Sequence, residues 1–138
     1  MREIKFRGKR TDNGEWVYGY YFIDLRDIED GLTWREIPQI QQRYGDHFNY
    51  FDVDPSTVGQ FTGLKDKNGV EIWEHDIFTY PNPVCRGVVR FGEYEFGEYD
   101  TYIKGCGFYL ESIESPGILE DYGWVISNIH DNPSLLES

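Results

Sequence analysis

The sequence predicts a mainly β fold with little helix, divided into two small β subdomains packed together. Three observations carry that prediction. Segments of four to nine β-branched or aromatic residues lie between clusters of Gly, Asn, Asp and Pro, the punctuation of short strands. The apolar period of a helix is largely missing. Aromatic residues make up 17% of the 138 positions. Each such ring buries roughly 150–250 Å², so a modest core can form without a metal or disulfide staple.

Residues 4–8 form a first strand, and Asp12-Asn13-Gly14 turns the chain into a second over 15–23. Pleating sends Trp16, Tyr18, Tyr20 and Phe22 to one face, and Val17, Gly19, Tyr21 and Ile23 to the other. Neither face is polar, so this strand needs cover on both sides, from a second layer or from another subunit. The signal weakens over 25–36, where Asp27, Glu29 and Asp30 mark solvent exposure. Residues 34–41 and 48–53 make another strand pair around a polar loop at 43–49. Asp54-Pro55-Ser56 is the expected boundary, because the residue before Pro is pushed out of the helical region. It separates an N-terminal hairpin and meander subdomain, residues 1–55, from a C-terminal small β-barrel subdomain, residues 56–138.

Beyond that boundary, 56–60 is a short extended entry segment. Asn68-Gly69 accepts positive φ at both central turn positions, so the chain enters a hairpin at Phe61 and leaves it over 70–73. A tight turn at Glu74-His75-Asp76 starts a strand at 77–80, Pro81-Asn82-Pro83 breaks the chain, and 84–91 is the next strand. Alternation over 93–102 sets Glu93 and Glu95 opposite Tyr94 and Phe96, and a bulge at Gly97 would restore one buried face after the phase shift there. Residues 107–113 and 123–129 supply the last strands. Asn132-Pro133 pairs an N-cap with Pro at the first helical position, for a single terminal turn at 134–137. Five or six short strands in about 80 residues suggest a small closed barrel.

Formal net charge is −12, and it is uneven. Residues 1–69 carry 10 basic and 12 acidic side chains, whereas 70–138 carry 3 and 13. The first ten residues reverse the balance, with Arg2, Lys5, Arg7, Lys9 and Arg10 against Glu3. A basic arm of this kind can lie on an acidic body or on a neighbouring copy. Cys85 and Cys106 stand 21 positions apart, outside any CxxC pattern, and are expected as a buried reduced pair. The first residues lack the apolar run of a signal peptide, and no stretch approaches the roughly 20 apolar residues of a membrane helix. A cytoplasmic protein with no membrane partner is therefore expected.

Three segments carry a family resemblance. The N-terminal Ile4-Lys5-Phe6-Arg7-Gly8, with Trp16-Val17-Tyr18-Gly19, is one. The central string runs Thr62-Gly63-Leu64-Lys65-Asp66-Lys67-Asn68-Gly69 and then Glu71-Ile72-Trp73-Glu74-His75-Asp76-Ile77-Phe78. The closing stretch is Val125-Ile126-Ser127-Asn128-Ile129-His130-Asp131-Asn132-Pro133 with Leu135 and Leu136. Together they resemble the YopX family, small proteins of phages and prophages, with a divergent middle between Asp24 and Asp54. The resemblance implies a mainly β fold with an SH3-like C-terminal barrel, and expression inside an infected or lysogenic bacterium. It transfers no catalytic residue. The family usually has Gly where this chain has His75, which implies a positive-φ turn residue. Either the turn differs here or His75 carries roughly 1 kcal/mol or more of local strain.

Chemistry-bearing residues are scattered. His47, His75 and His130 each adjoin a carboxylate, as Asp46-His47, Glu74-His75-Asp76 and His130-Asp131. Side chains adjacent in a strand diverge, so adjacency does not make a catalytic dyad. Zinc would require these histidines and the two cysteines to converge from positions with no recognisable spacing. Nucleophile-elbow and phosphate-loop patterns are missing, and Gly63 and Gly69 belong to a hairpin. Glu93/Glu95 and Glu98/Asp100 fit a solvated strand face better than an acid–base pair. Tyr18, Tyr20, Tyr44, Tyr50 and Tyr94 could stack single-stranded bases, but an anionic body repels phosphates, which makes direct nucleic-acid binding unlikely. No residue is assigned a catalytic, cofactor-binding or metal role, and no cofactor is expected.

The expected function is that of a non-enzymatic phage or prophage accessory protein. Its work would be protein–protein interaction, including self-association into a homo-oligomer through faces such as residues 16–23, with a host or phage protein as a further partner. Two alternatives stand beside it. One is an acidic nucleic-acid mimic or nucleic-acid-associated protein, suggested by the charge of residues 70–138. The other is a small metal-dependent hydrolase using scattered His, Asp and Glu.

Overall fold

The computed structural model describes residues 3–80, 86–98, 101–112, 117–119 and 123–136. Most of them lie in antiparallel strands, and two single 3₁₀ turns are the helical content among them. The mainly β expectation holds. The chain divides into two compact units, Met1–Gln60 and Phe61–Ser138.

In the first unit β1 (Phe6–Lys9), β2 (Trp16–Asp27), β3 (Trp34–Tyr44) and β4 (His47–Asp52) precede a 3₁₀ turn at Pro55–Thr57. β5 (Gly59–Lys65) begins here and continues into the second unit, and the strand order is β4-β3-β2-β1-β5. Alternation along β2 does what the sequence implies. Val17 and Tyr21 turn inward, where Val17, Ile40 and Val53 form the core and Phe6, Tyr21, Phe51 and Val58 pack against it. The opposite side chains include Tyr18 and Tyr20, which are exposed.

Two lengths differ from expectation. β2 and β3 stay paired out to Asp27↔Trp34, through the stretch where the strand signal faded. The acidic residues there shape the tip: Gly31 N–H donates to Asp27, and the Asp30 carboxylate accepts from Leu32 N–H, Thr33 N–H and Thr33 Oγ1. The loop expected at 43–49 is a tight turn, because Gly45 adopts φ 56° and lets Tyr44 pair with His47. Asp54 takes an extended conformation and its side chain accepts from Ser56 N–H, so residues 55–57 coil into a 3₁₀ turn before β5.

The second unit contains the rest of β5, β6 (Glu71–Trp73), β7 (Asp76–Thr79), β8 (Arg86–Glu98) and β9 (Thr101–Glu111). β10 (Gly117–Ile118), β11 (Trp124–Asn128) and a 3₁₀ turn at Pro133–Leu136 complete it. The core is Ile72, Phe78, Val89, Leu110 and Leu119, with Tyr80, Phe108 and Val125 packed against it. Strand order β10-β9-β8-β7-β11 is that of an open sheet with β10 and β11 at its edges, so closure into an SH3-like barrel is not seen among the described residues.

β8 also departs from the reading of two strands with a bulge at Gly97. It is one strand of 13 residues, and its ladder with β9 runs without a shift through Gly97↔Tyr102. The inferred bulge assumed one continuous buried face. Past the β7 ladder, which ends at Val88, these strands continue as a ribbon that packs largely on itself. Tyr94 stacks on Phe96 at 5.1 Å between ring centres, and Tyr109 closes on both. Pro81-Asn82-Pro83, Cys85 and Asp100 lie outside the described residues, as does the side chain of Glu98. Among the described residues no helix is long and apolar enough to cross a membrane.

Candidate functional site

The string from Thr62 to Phe78 folds into a pair of turns fastened by two buried carboxylates. Asp66 Oδ1 accepts Asn68 N–H at 2.8 Å and Val70 N–H at 2.9 Å, and its Oδ2 accepts Val125 N–H at 3.0 Å. Lys67 N–H donates to Gly123 C=O at 3.0 Å, and its ammonium lies 4.1 Å from the Trp124 ring centre. Asp76 Oδ2 accepts Trp73 N–H at 2.7 Å, closing the second turn. Burial pushes the Asp66 carboxyl up, yet the amides of Val125, Val70 and Asn68, with Lys67, hold it below the ordinary range. These acids perform structural work.

Between them lies His75, at φ 77°. The turn is the glycine type, and His75 bears the strain. Its backbone is clamped, with His75 N–H donating to Val89 C=O at 2.7 Å and Ile129 N–H donating to His75 C=O at 3.1 Å. The ring meets a second imidazole. His75 Nδ1 and His130 Nε2 are 3.1 Å apart and share one hydrogen bond, with ring centres 5.0 Å apart. His130 is placed by a turn centred on Asn128, whose Oδ1 accepts His130 N–H and Asp131 N–H while its Nδ2 donates to Asp131. On the far nitrogen of His75, Nε2, Glu74 Oε2 approaches to 3.7 Å.

Sequence reasoning missed this constellation. It treated neighbouring side chains as diverging, which holds in a strand and fails where positive φ folds Glu74 and His75 together. The histidines stand 55 positions apart in no motif, and what could have pointed to the pair was His in a position shaped for Gly.

The remaining candidates do not join it. His47 is exposed on β4 in the first unit, and Cys106 is exposed on β9 opposite Glu93, which corrects the expectation of a buried thiol. Cys106 belongs to the ribbon beyond the core. Glu93 and Glu95 are exposed, and Glu95 accepts from Tyr102 Oη at 2.5 Å with Lys104 Nζ at 3.5 Å. Tyr18, Tyr20, Tyr44 and Tyr50 are exposed in the first unit. The described residues Arg7, Lys9 and Arg10 lie against neighbouring side chains and do not form an extended arm. The Arg7 guanidinium lies 4.5 Å and the Lys9 ammonium 5.4 Å from the Trp16 ring centre, and Arg10 makes a two-pronged contact with Asp12 at 2.9 and 2.6 Å.

Comparison with known proteins gives one family: residues 5–137 match YopX, described as YopX protein. No curated protein matches the chain. Among solved structures, the crystal structure of protein EF1440 from Enterococcus faecalis is similar at 23% identity, covering 99% of this chain and 99% of that one. Its TM-score is 0.42, too loose a likeness to support an argument.

Proposed function

The chain belongs to the YopX family, and from that footing we propose that it is a non-enzymatic, self-associating interaction module of a phage or prophage. One observation carries the reading. Residues 20–27 of β2 pair with β3 on one edge and, among the described residues, with no strand on the other, because the β1 ladder stops at Gly19. The same segment exposes large apolar groups, with Tyr20 at 61% and Leu25 at 56%. Beyond Gln39↔Asp52, where β4 ends, β2 and β3 project as a two-stranded ribbon carrying exposed Trp34 and Leu32. Two-stranded ribbons are marginal in water, and a bare strand edge invites pairing.

A second copy is the occupant this edge suits. Antiparallel pairing about Leu25 sets Asp24 of each copy opposite Arg26 of the other, an isologous contact in which charge is complementary. Repulsion is also lowest in this half of the chain. Residues 1–60 hold 8 basic and 11 acidic side chains, net −3, and 61–138 hold 5 and 14, net −9. Packing of Arg7, Lys9 and Arg10 against Trp16 and Asp12 leaves less support for a nucleic-acid interface. Hydrogen exchange at rising protein concentration tests the reading. Amides of residues 20–27 should gain protection with concentration, and concentration-independent exchange there overturns it.

A further inference from the structure

We propose that His75 and His130 form a binding site for a divalent transition-metal ion, with Glu74 as the carboxylate that orients the His75 ring. The geometry is close to what two metal-bound imidazoles require. A metal about 2.0–2.1 Å from each nitrogen, at a tetrahedral angle, separates them by about 3.3 Å. Nδ1 of His75 and Nε2 of His130 are 3.1 Å apart, so the nitrogens already stand at nearly that separation, and the rings would turn until both lone pairs meet on the ion. The ion would take the place of the proton the two nitrogens now share.

Glu74 occupies the position of a supporting carboxylate. Metal-ligating histidines usually present their other ring nitrogen to a carboxylate or carbonyl, which selects the tautomer and raises the ligand's basicity. Glu74 Oε2 stands 3.7 Å from His75 Nε2, beyond hydrogen-bond distance, and a short swing of the carboxylate would let it accept a proton there and leave the Nδ1 lone pair toward His130.

Backbone strain is an independent pointer. Glycine takes φ 77° freely, and an imidazole here costs local free energy. Three backbone fastenings, at Val89, Ile129 and Asp76, hold the turn that presents the ring. Among the described residues no group of three or more His, Cys, Asp or Glu could hold an ion. The described residues therefore offer two nitrogens, and water would complete the sphere. Imidazole donors with open positions suit zinc, nickel or copper and not magnesium or calcium.

The test uses the full chain carrying Cys106→Ser and His47→Ala, which removes the exposed thiol and the third imidazole as competitors. Zinc or nickel chloride should raise its melting temperature, while magnesium chloride leaves it unchanged. His75→Gly, which suits the turn, and His130→Gln should each abolish the shift. Glu74→Gln should weaken zinc affinity in calorimetry by about tenfold. A missing shift in the parent, or one that survives both His75→Gly and His130→Gln, overturns the site. Unchanged affinity in Glu74→Gln overturns the role given to that carboxylate.

Discussion

Asp66 Oδ2 accepts the backbone N–H of Val125 at 3.0 Å, joining positions 59 residues apart. The other oxygen of the same carboxylate shapes the Asn68-Gly69 turn. One side chain thus builds a hairpin and attaches it to β11.

Replacing Asp66 by Ala should be severe. Three backbone N–H groups would lose their acceptor in a buried setting, at a total of about 3 kcal/mol or more. Urea denaturation should show it as a lower midpoint with little change in slope. An Asp66→Ala protein as stable as the parent would mean that these donors find water.

Acid should expose the same dependence. The Asp66 carboxyl is held below its ordinary value of 3.8 in the folded protein. A depressed folded value means that its contribution is fully present above the unfolded value and is lost as pH falls through the folded one. Stability measured from pH 5 down to pH 2 should therefore fall less steeply in Asp66→Asn than in the parent. Parallel slopes would contradict the assignment.

At His75 the backbone and the ring can be separated by comparing two variants. Both His75→Gly and His75→Ala lose the contact with His130, but only Ala retains a Cβ at φ 77°. His75→Gly should be the more stable of the two by about 1 kcal/mol. Equal stability would remove the strain.

Gly19 lies where β2 passes from its β1 ladder to its β3 ladder, at φ 157°. A Cβ there would come within 2.0 Å of the Gln41 carbonyl oxygen, which is backbone and cannot swing away. Gly19→Ala should cost about 3 kcal/mol or more by thermal or chemical denaturation. A loss under 1 kcal/mol would show that the strands shift apart easily.

Local chemistry explains which features were legible in the chain. Asn68-Gly69 announces its hairpin, the two faces of residues 16–21 separate as alternation requires, and Asn132-Pro133 opens the 3₁₀ turn at Pro133–Leu136. Ribbon lengths were less visible. The strand signal fades over 25–27, and a phase shift suggests itself at Gly97, because both ribbons extend past the neighbouring ladders and have no single buried face. Closure was inferred from strand number, whereas pairing order decides it. The histidine pair depends on two turns joined through tertiary structure, and nothing in its spacing reveals it.

The central claim is that the uncovered edge and face of β2 are met by a second copy. Size-exclusion chromatography with light scattering, at micromolar protein, tests it directly. The parent should elute with at least twice the monomer mass, and Tyr20→Arg with Leu25→Lys should return it to a folded monomer. A strict monomer for the parent across that concentration range would contradict the account.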